Sequence, residues 1–258
     1  HCAGGADNTA VKTHHLQYWP DGRYFKNDAV DILVAGCGAN AAARCAYTHP
    51  NARVVGIDLS ESSLANEEAL KRKHNLDNLT LKQMRIEDLE SLDQAFDFID
   101  CIGVLHHLPD PDVGLQQLKK VLRPDGVIAT MLYAKYGRFG VYVLQELFQL
   151  VQLRQTQEDV DLIKQMMALL TPQHPAKFTV GESPDIQFDA GVVDLLLHPQ
   201  DQAYSVKECL DFVERNGFHF QGWVEGFTYT IDYQVGDGFG LTRKIKELPI
   251  REQWQAME

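Results

Sequence analysis

Gly36, Gly38 and Asp58 carry the chemistry that is easiest to read in this chain. Gly36-Cys37-Gly38 closes the apolar run Val30–Ala35, and the small-residue stretch Ala39–Tyr47 follows at once. Glycine adopts backbone angles closed to other residues and puts no side chain between the chain and a ligand. A helix opening directly after such a turn offers unpaired N–H groups and the positive end of its dipole. Asp58 ends the next apolar run, Arg53–Ile57, 20 positions after Gly38. In a doubly wound sheet those two strand ends are neighbours, so the Asp58 carboxylate can accept both hydroxyls of a ribose lying over the turn. The spacing favours a ribose-containing cofactor. It leaves the class open, because Gly36-Cys37-Gly38-Ala39-Asn40-Ala41 also satisfies the dinucleotide fingerprint G-x-G-x-x-G/A.

A second set of residues could move a proton or hold an acceptor. Imidazole is the side chain that takes up a proton near neutral pH. His107, beside His106, follows the apolar run Phe96–Ile102, and His15 lies in an N-terminal stretch that also holds Tyr18, Trp19, Tyr24 and Phe25. His107 and His15 are the candidate bases, each against a plainer reading as a packing residue. Tyr133, Tyr136 and Arg138 follow the fifth expected strand, at the carboxyl edge where open α/β sheets bind ligands. Together with Tyr18 and Trp19 they are the candidate substrate-binding residues. A guanidinium at Arg138 suits a substrate carboxylate, or else a surface ion pair.

The elements that must position these groups follow from the pattern. Apolar strand-like runs alternate with helix-like stretches from Val30 to Leu132. Ser60 and Asp110-Pro111 are placed to open helices, and Pro124-Asp125-Gly126 is expected to turn into a fifth strand, Val127–Leu132. Alternation with almost wholly apolar strands predicts a parallel sheet covered on both faces. After Tyr133 the period changes. Val141, Leu144, Leu147, Phe148 and Val151 form one helical stripe, and Val160, Ile163, Met166, Met167 and Leu170 form a second. Residues 171–204 read as a long ordered loop with a short helix at Val192–Leu197. Ser205-Val206-Lys207-Glu208 matches a capping box. Phe218–Val224 alternates like a strand, with Phe227–Tyr233 as its expected partner.

Bulk composition narrows the partners. The 258 residues carry a net charge of −12 with a pI near 5.2, which disfavours nucleic acid. No apolar run approaches the roughly 20 residues that span a bilayer, so no membrane role is expected. Cys2, Cys37, Cys45, Cys101 and Cys209 form no C-x-x-C pair and no metal-like spacing. Reduced thiols in a cytoplasmic compartment are expected, and no metal is.

Val30–Asn40, Val55–Ser60, Phe96–Leu108 with Gly103-Val104-Leu105-His106-His107-Leu108, and Leu118–Val127 with Val121-Leu122-Arg123-Pro124-Asp125-Gly126 stand in order and together resemble the class I S-adenosylmethionine-dependent methyltransferases. The resemblance implies a Rossmann-like, doubly wound, seven-stranded, mostly parallel sheet with an antiparallel hairpin at one edge and a helical insertion after the fifth strand. Four parts are expected: an arm over the active site at 1–27, a cofactor-binding core at 28–137, a helical and loop insertion serving as a substrate lid at 138–204, and a segment completing the core at 205–258. The implied reaction is methyl transfer from S-adenosylmethionine to a small or medium organic acceptor. A nicotinamide oxidoreductase and a non-catalytic donor-binding module are the alternatives.

By the same resemblance Gly36, Cys37 and Gly38 line the donor's amino-acid and ribose portions, and Asp58 takes the ribose hydroxyls. Leu59 packs on adenine, Ile86 meets its edge, and Ile102, Gly103 and Val104 line the pocket beside the sulfonium. The chain departs from the family pattern twice. Asn40 stands where a third glycine is common, and its amide could reach the donor's carboxylate. Arg85 stands where an Asp usually accepts from the adenine amino group. Arginine has no acceptor, so Glu87, Asp88 or a backbone carbonyl is expected to substitute.

Overall fold

The computed structural model describes residues 30–180, 183–224, 226–235 and 240–258. The expected arm at 1–27, with His15, Tyr18 and Trp19, lies outside the described residues. The chain divides into two compact units, one running to Leu132 and including Asp211–Gly226, the other comprising Tyr133–Leu210 and Phe227–Glu258.

The first unit is built on strands β1 (Asp31–Ala35), β2 (Arg53–Asp58), β3 (Leu79–Gln83), β4 (Phe96–Ile102) and β5 (Leu122–Met131). They pair in the order β3-β2-β1-β4-β5, and every pairing is parallel. All five residues of β1 are buried, as its place at the centre of a sheet covered on both faces requires. One face packs Ile32, Val34, Val54 and Leu79 against Ala42, Ala43 and Ala46 of helix α1 (Ala41–Thr48). Alanine on that helix face lets it lie close to the strands, and a Cβ at Gly56 would stand 2.6 Å from that of Ala42.

Local signals set the helix ends. Ser60 accepts from Ser63 N at 3.2 Å and opens α2 (Glu61–His74), whose last turn carries Lys71, Arg72, Lys73 and His74 at the negative end of the dipole. Asp110 accepts from Asp112 N and Val113 N, and Pro111 occupies the first turn of α3 (Pro111–Val121).

Two expectations for the sheet need correcting. Pro124-Asp125-Gly126 does not precede the fifth strand but is an excursion within it: Phe96 pairs with Leu122, while Phe98 pairs with Val127. The sheet has five strands among the described residues, not seven. The expected hairpin is absent there: Phe218–Trp223 has no regular structure, Gly226–Tyr229 is a 3₁₀ turn and Ile231–Gln234 is a short helix. Glycines at 217 and 222 hold φ of +71° and +157°, which interrupts the alternation. The rings of Phe220 and Trp223 meet edge to face at 4.7 Å, as do those of Phe227 and Tyr233 at 5.1 Å. Those rings meet neighbours in the chain rather than residues on alternate faces of a sheet.

The second unit has its own core. Helices α4 (Phe139–Leu150), α5 (Gln157–Leu169), α6 (Pro175–Val180) and α7 (Asp189–Leu196) bury Val141, Leu144, Phe148, Ile163, Met167 and Leu196 together. Segment 171–204 is thus largely helical rather than a loop, and β6 (Tyr133–Ala134) pairs with β7 (Ala203–Tyr204) across it. The capping box forms in full, with Ser205 N donating to Glu208 Oε2 at 2.8 Å and Glu208 N to Ser205 Oγ at 3.2 Å, at the start of α8 (Val206–Arg215). Residues 240–256 add α10 (Gly240–Lys246) and α11 (Ile250–Ala256) beyond α9 (Ile231–Gln234), so 227–258 belongs with the helical unit and does not complete the sheet.

Candidate functional site

β1 is the centre of the sheet, and chain order reverses beside it, with β2 on one side and β4 on the other. Ligands of open α/β sheets bind at such a switch point, beyond the carboxyl ends of the strands. Gly36, Gly38 and Gly103 cluster at those ends with φ of +73°, +57° and +75°. Gly36 N and Cys37 N both donate to Ile57 O at 2.9 Å, which ties the turn to the end of β2. A Cβ on Gly36 would collide with Val104 Cγ2, whereas one on Gly38 would meet nothing within 4 Å. The first glycine is needed for packing and the second faces open space.

Asp58 is fixed from two sides. Gly38 N donates to Oδ2 and Ser60 N to Oδ1, each at 2.8 Å. Each carboxylate oxygen keeps a further lone pair, and the side chain is only half-buried. The group is aimed and open, able to accept two hydroxyls side by side. Leu59, Ile102 and Met131 stand at the carboxyl ends of β2, β4 and β5 and are exposed to 62%, 43% and 38%. Apolar side chains left open at strand ends on both sides of β1 suit the flat and aliphatic parts of a ligand. Cys37 is buried and its thiol is pushed up to about 12, first by burial and then by the nearby Glu67 and Asp58 carboxylates. It is a neutral wall, not a nucleophile.

Beyond β3 the chain enters a short 3₁₀ turn. Arg85 is exposed and turns to Glu87, 3.3 Å away. Ile86 is buried at the start of the 3₁₀ turn Ile86–Leu92. Gln83 donates from Nε2 to Leu59 O at 3.0 Å and so steadies the segment after Asp58. Asn40 precedes α1 without a side-chain capping bond. His107 is half-buried in the turn Leu105–His107, its ring edge-on to buried His106 at 4.2 Å.

Sequence reasoning missed Glu67. It is the buried residue of α2 and is wholly inaccessible. Ala42 N donates to Oε1 at 2.9 Å and Ala43 N to Oε2 at 2.8 Å, so a carboxylate sits on the N-terminus of the helix that follows the glycine turn. The only sequence signal was a glutamate on the inner face of an otherwise polar helix.

Within the second unit, Arg138 is not a surface ion pair. Its guanidinium lies 3.4 Å over the Tyr133 ring and 3.6 Å from Asp201, whose side chain is 4% exposed. Gln145 donates to the same Asp201 oxygen at 3.1 Å. Arg138 Nε, Asp201 Oδ1 and Tyr142 Oη are buried and make no hydrogen bond among the described residues. Tyr136 is exposed.

Comparison with known proteins places this geometry. Residues 26–195 match the family described as Methyltransferase domain. An uncharacterized protein of Synechococcus is 28% identical over 234 residues, 88% of this chain and 56% of its own length. The ubiquinone biosynthesis O-methyltransferase of Neisseria meningitidis is 31% identical over 98 residues, 38% of this chain and 41% of its own. The structure of PKMT2 from Rickettsia typhi in complex with AdoHcy has the same fold, with a TM-score of 0.68 at 20% identity, covering 93% of this chain and 50% of that one. The chain thus spans about half the length of the relatives it matches. No helix among the described residues is long and apolar enough to cross a membrane. With a glycine turn, an aimed carboxylate and an open apolar floor at the switch point, and with the family match spanning most of its length, the chain belongs to the class I S-adenosylmethionine-dependent methyltransferases.

Proposed function

We propose that the chain catalyses methyl transfer from S-adenosylmethionine to a small or medium organic acceptor. The observation that carries this reading is the Asp58 carboxylate, held by Gly38 N and Ser60 N with lone pairs to spare. The donor supplies a methyl group on a sulfonium, which the acceptor's nucleophilic atom displaces in line while the sulfur keeps the bonding pair. Asp58 would hold the ribose hydroxyls, and Gly36, Cys37 and Gly38 would lie along the sugar and amino-acid portions. Leu59 would cover adenine. Arg85, Ile86 and Glu87 would border it through backbone groups, since the Arg85 and Glu87 side chains engage each other. Ile102, Gly103 and Val104 would flank the reacting centre. Because the donor is already activated, the protein's main task is to fix distance and alignment. His107, and His15 in the arm, are the candidates for taking a proton from a hydroxyl or ammonium acceptor.

For the acceptor, Tyr133, Tyr136 and Arg138 in the second unit, with Tyr18 and Trp19 in the arm, are the proposed contacts. Asp201 already offsets the charge of Arg138. A neutral group that accepts from Arg138 Nε and donates to Asp201 Oδ1, a hydroxyl or a carboxamide, fits that pair better than a carboxylate does. Arg138→Lys keeps the charge and loses the planar stack and the fork of donors. It should raise the KM for the acceptor and leave the Kd for S-adenosylhomocysteine unchanged. Calorimetry tests the donor reading: saturable binding of S-adenosylhomocysteine, with none of NAD, supports it, and the reverse rejects it. Turnover of a labelled methyl group on a panel of phenols, amines and amides then separates an enzyme from a donor-binding module.

A further inference from the structure

The glycine turn of this chain satisfies the dinucleotide fingerprint, yet the N–H groups of Ala41, Ala42 and Ala43 in the first turn of the helix behind it are already taken within the protein. Every N–H from Ala41 to Arg44 has a protein acceptor: Ala41 N donates to Cys37 O and Arg44 N to Asn40 O, while Ala42 N and Ala43 N donate to the two oxygens of Glu67. Those first-turn N–H groups and the dipole behind them are what a dinucleotide fold offers to a pyrophosphate. Glu67 is fully buried although it is a carboxylate, and it is the buried residue of its helix, so apolar packing does not explain its place. The positive end of α1 does.

We infer that Glu67 is a specificity-determining residue, a resident anion seated where a phosphate would bind, which makes the glycine turn accept an adenosyl ligand that carries no phosphate and reject dinucleotides and nucleotides. The inference rests on the donor reading above and extends it. It adds a reason for selectivity that lies behind the turn rather than at the ribose. A phosphate approaching α1 in the native chain would find its donors taken and a negative charge in the same seat. Glu67→Gln keeps the shape, but its amide nitrogen cannot accept, so it turns one of the two N–H groups loose. Glu67→Ala frees both.

The test is calorimetry on the full chain and on both variants, with S-adenosylhomocysteine, ADP and NAD as probes and circular dichroism to establish folding. The native chain should bind S-adenosylhomocysteine and neither ADP nor NAD. Glu67→Ala should gain at least tenfold in affinity for ADP, with Glu67→Gln between the two. Should Glu67→Ala not fold, the isosteric Glu67→Gln decides by itself. Folded variants that bind ADP no better than the native chain overturn the role given to Glu67. Failure of the native chain to bind S-adenosylhomocysteine overturns the donor reading instead.

Discussion

Asp58 is prepared before any ligand arrives, because the two backbone bonds that orient it come from the glycine turn and from the cap of α2. Replacing it with alanine removes the acceptor proposed for the ribose hydroxyls and unties the turn from it. Asp58→Ala should weaken S-adenosylhomocysteine binding by about 1–3 kcal/mol, the cost of leaving buried polar groups unpaired, with little loss of thermal stability because the group is half-exposed. Unchanged affinity in a folded variant would show the ribose to be held elsewhere. Asp100 makes the opposite case. It lies mid-sheet in β4 between Val34 and Ala129, and burial pushes its carboxyl up to about 6, with Arg44 pulling the other way. A carboxyl that holds its proton more tightly when folded gives stability that grows as pH falls through about 6. At neutral pH the ionised group therefore costs stability, and Asp100→Asn should melt higher than the native chain at pH 8. The gap should close towards pH 5; an equal gap at both would place the effect outside this titration.

At the scale of elements, the amino-terminal ends of the strands are held by ions. Arg53 grips Asp31 with two bonds of 2.6 and 2.7 Å, Arg123 reaches Asp31 at 2.7 Å and also pairs with Asp97, and Asp97 accepts from Asp31 N at 2.8 Å. One network thus joins β1, β2 and β4 to the excursion in β5. Burial alone would raise the Asp31 carboxyl, but Arg53 and Arg123 outweigh it and hold it below the usual carboxylate range. Its stabilisation is present above the unfolded value of about 3.9 and is lost as pH falls through the lower folded value. Asp31→Asn should cost about 1–3 kcal/mol at pH 7 by urea denaturation. Arg53→Ala should cost less, since its side chain is 68% exposed. Neither should alter S-adenosylhomocysteine affinity, because Asp58 stands at the other end of β2; a parallel loss of binding would refute that separation. The network also marks the limit of what could be read in advance. Five strands, the caps at Ser60 and Asp110 and the box at Ser205 and Glu208 were legible because each is a pattern within a few residues. Gly36, Gly38 and Asp58 were legible because their spacing is one strand–helix–strand unit. Glu67 was not, since a buried glutamate and a solvated one are written alike until α1 is seen to begin against it. The Asp201 partner of Arg138 lies too far along the chain for any local rule. Phe218–Val224 misled because alternation describes a strand only where a neighbouring strand pairs with it.

For the whole molecule, the decisive fact is that each unit buries an apolar cluster of its own among the described residues. One is the aliphatic layer between sheet and α1 and the other is the helical cluster around Leu144, Ile163 and Leu196. The residues proposed to hold the donor all lie in the first unit, and Tyr133, Tyr136 and Arg138 lie in the second. A ligand stabilises the cooperative unit to which it binds, by about 2.7 kcal/mol at a concentration of one hundred times Kd. Saturating S-adenosylhomocysteine should therefore slow amide hydrogen exchange most in 30–60 and 96–108, and least in α5 and α7. Calorimetry should show the ligand-sensitive transition moving up in temperature while a second transition stays in place. The same experiment on Asp58→Ala should show a smaller shift of the first transition and no change in the second. If protection rises evenly across both cores, the two unfold as one body, and the proposed assignment of donor and acceptor contacts to different units does not extend to their energetics.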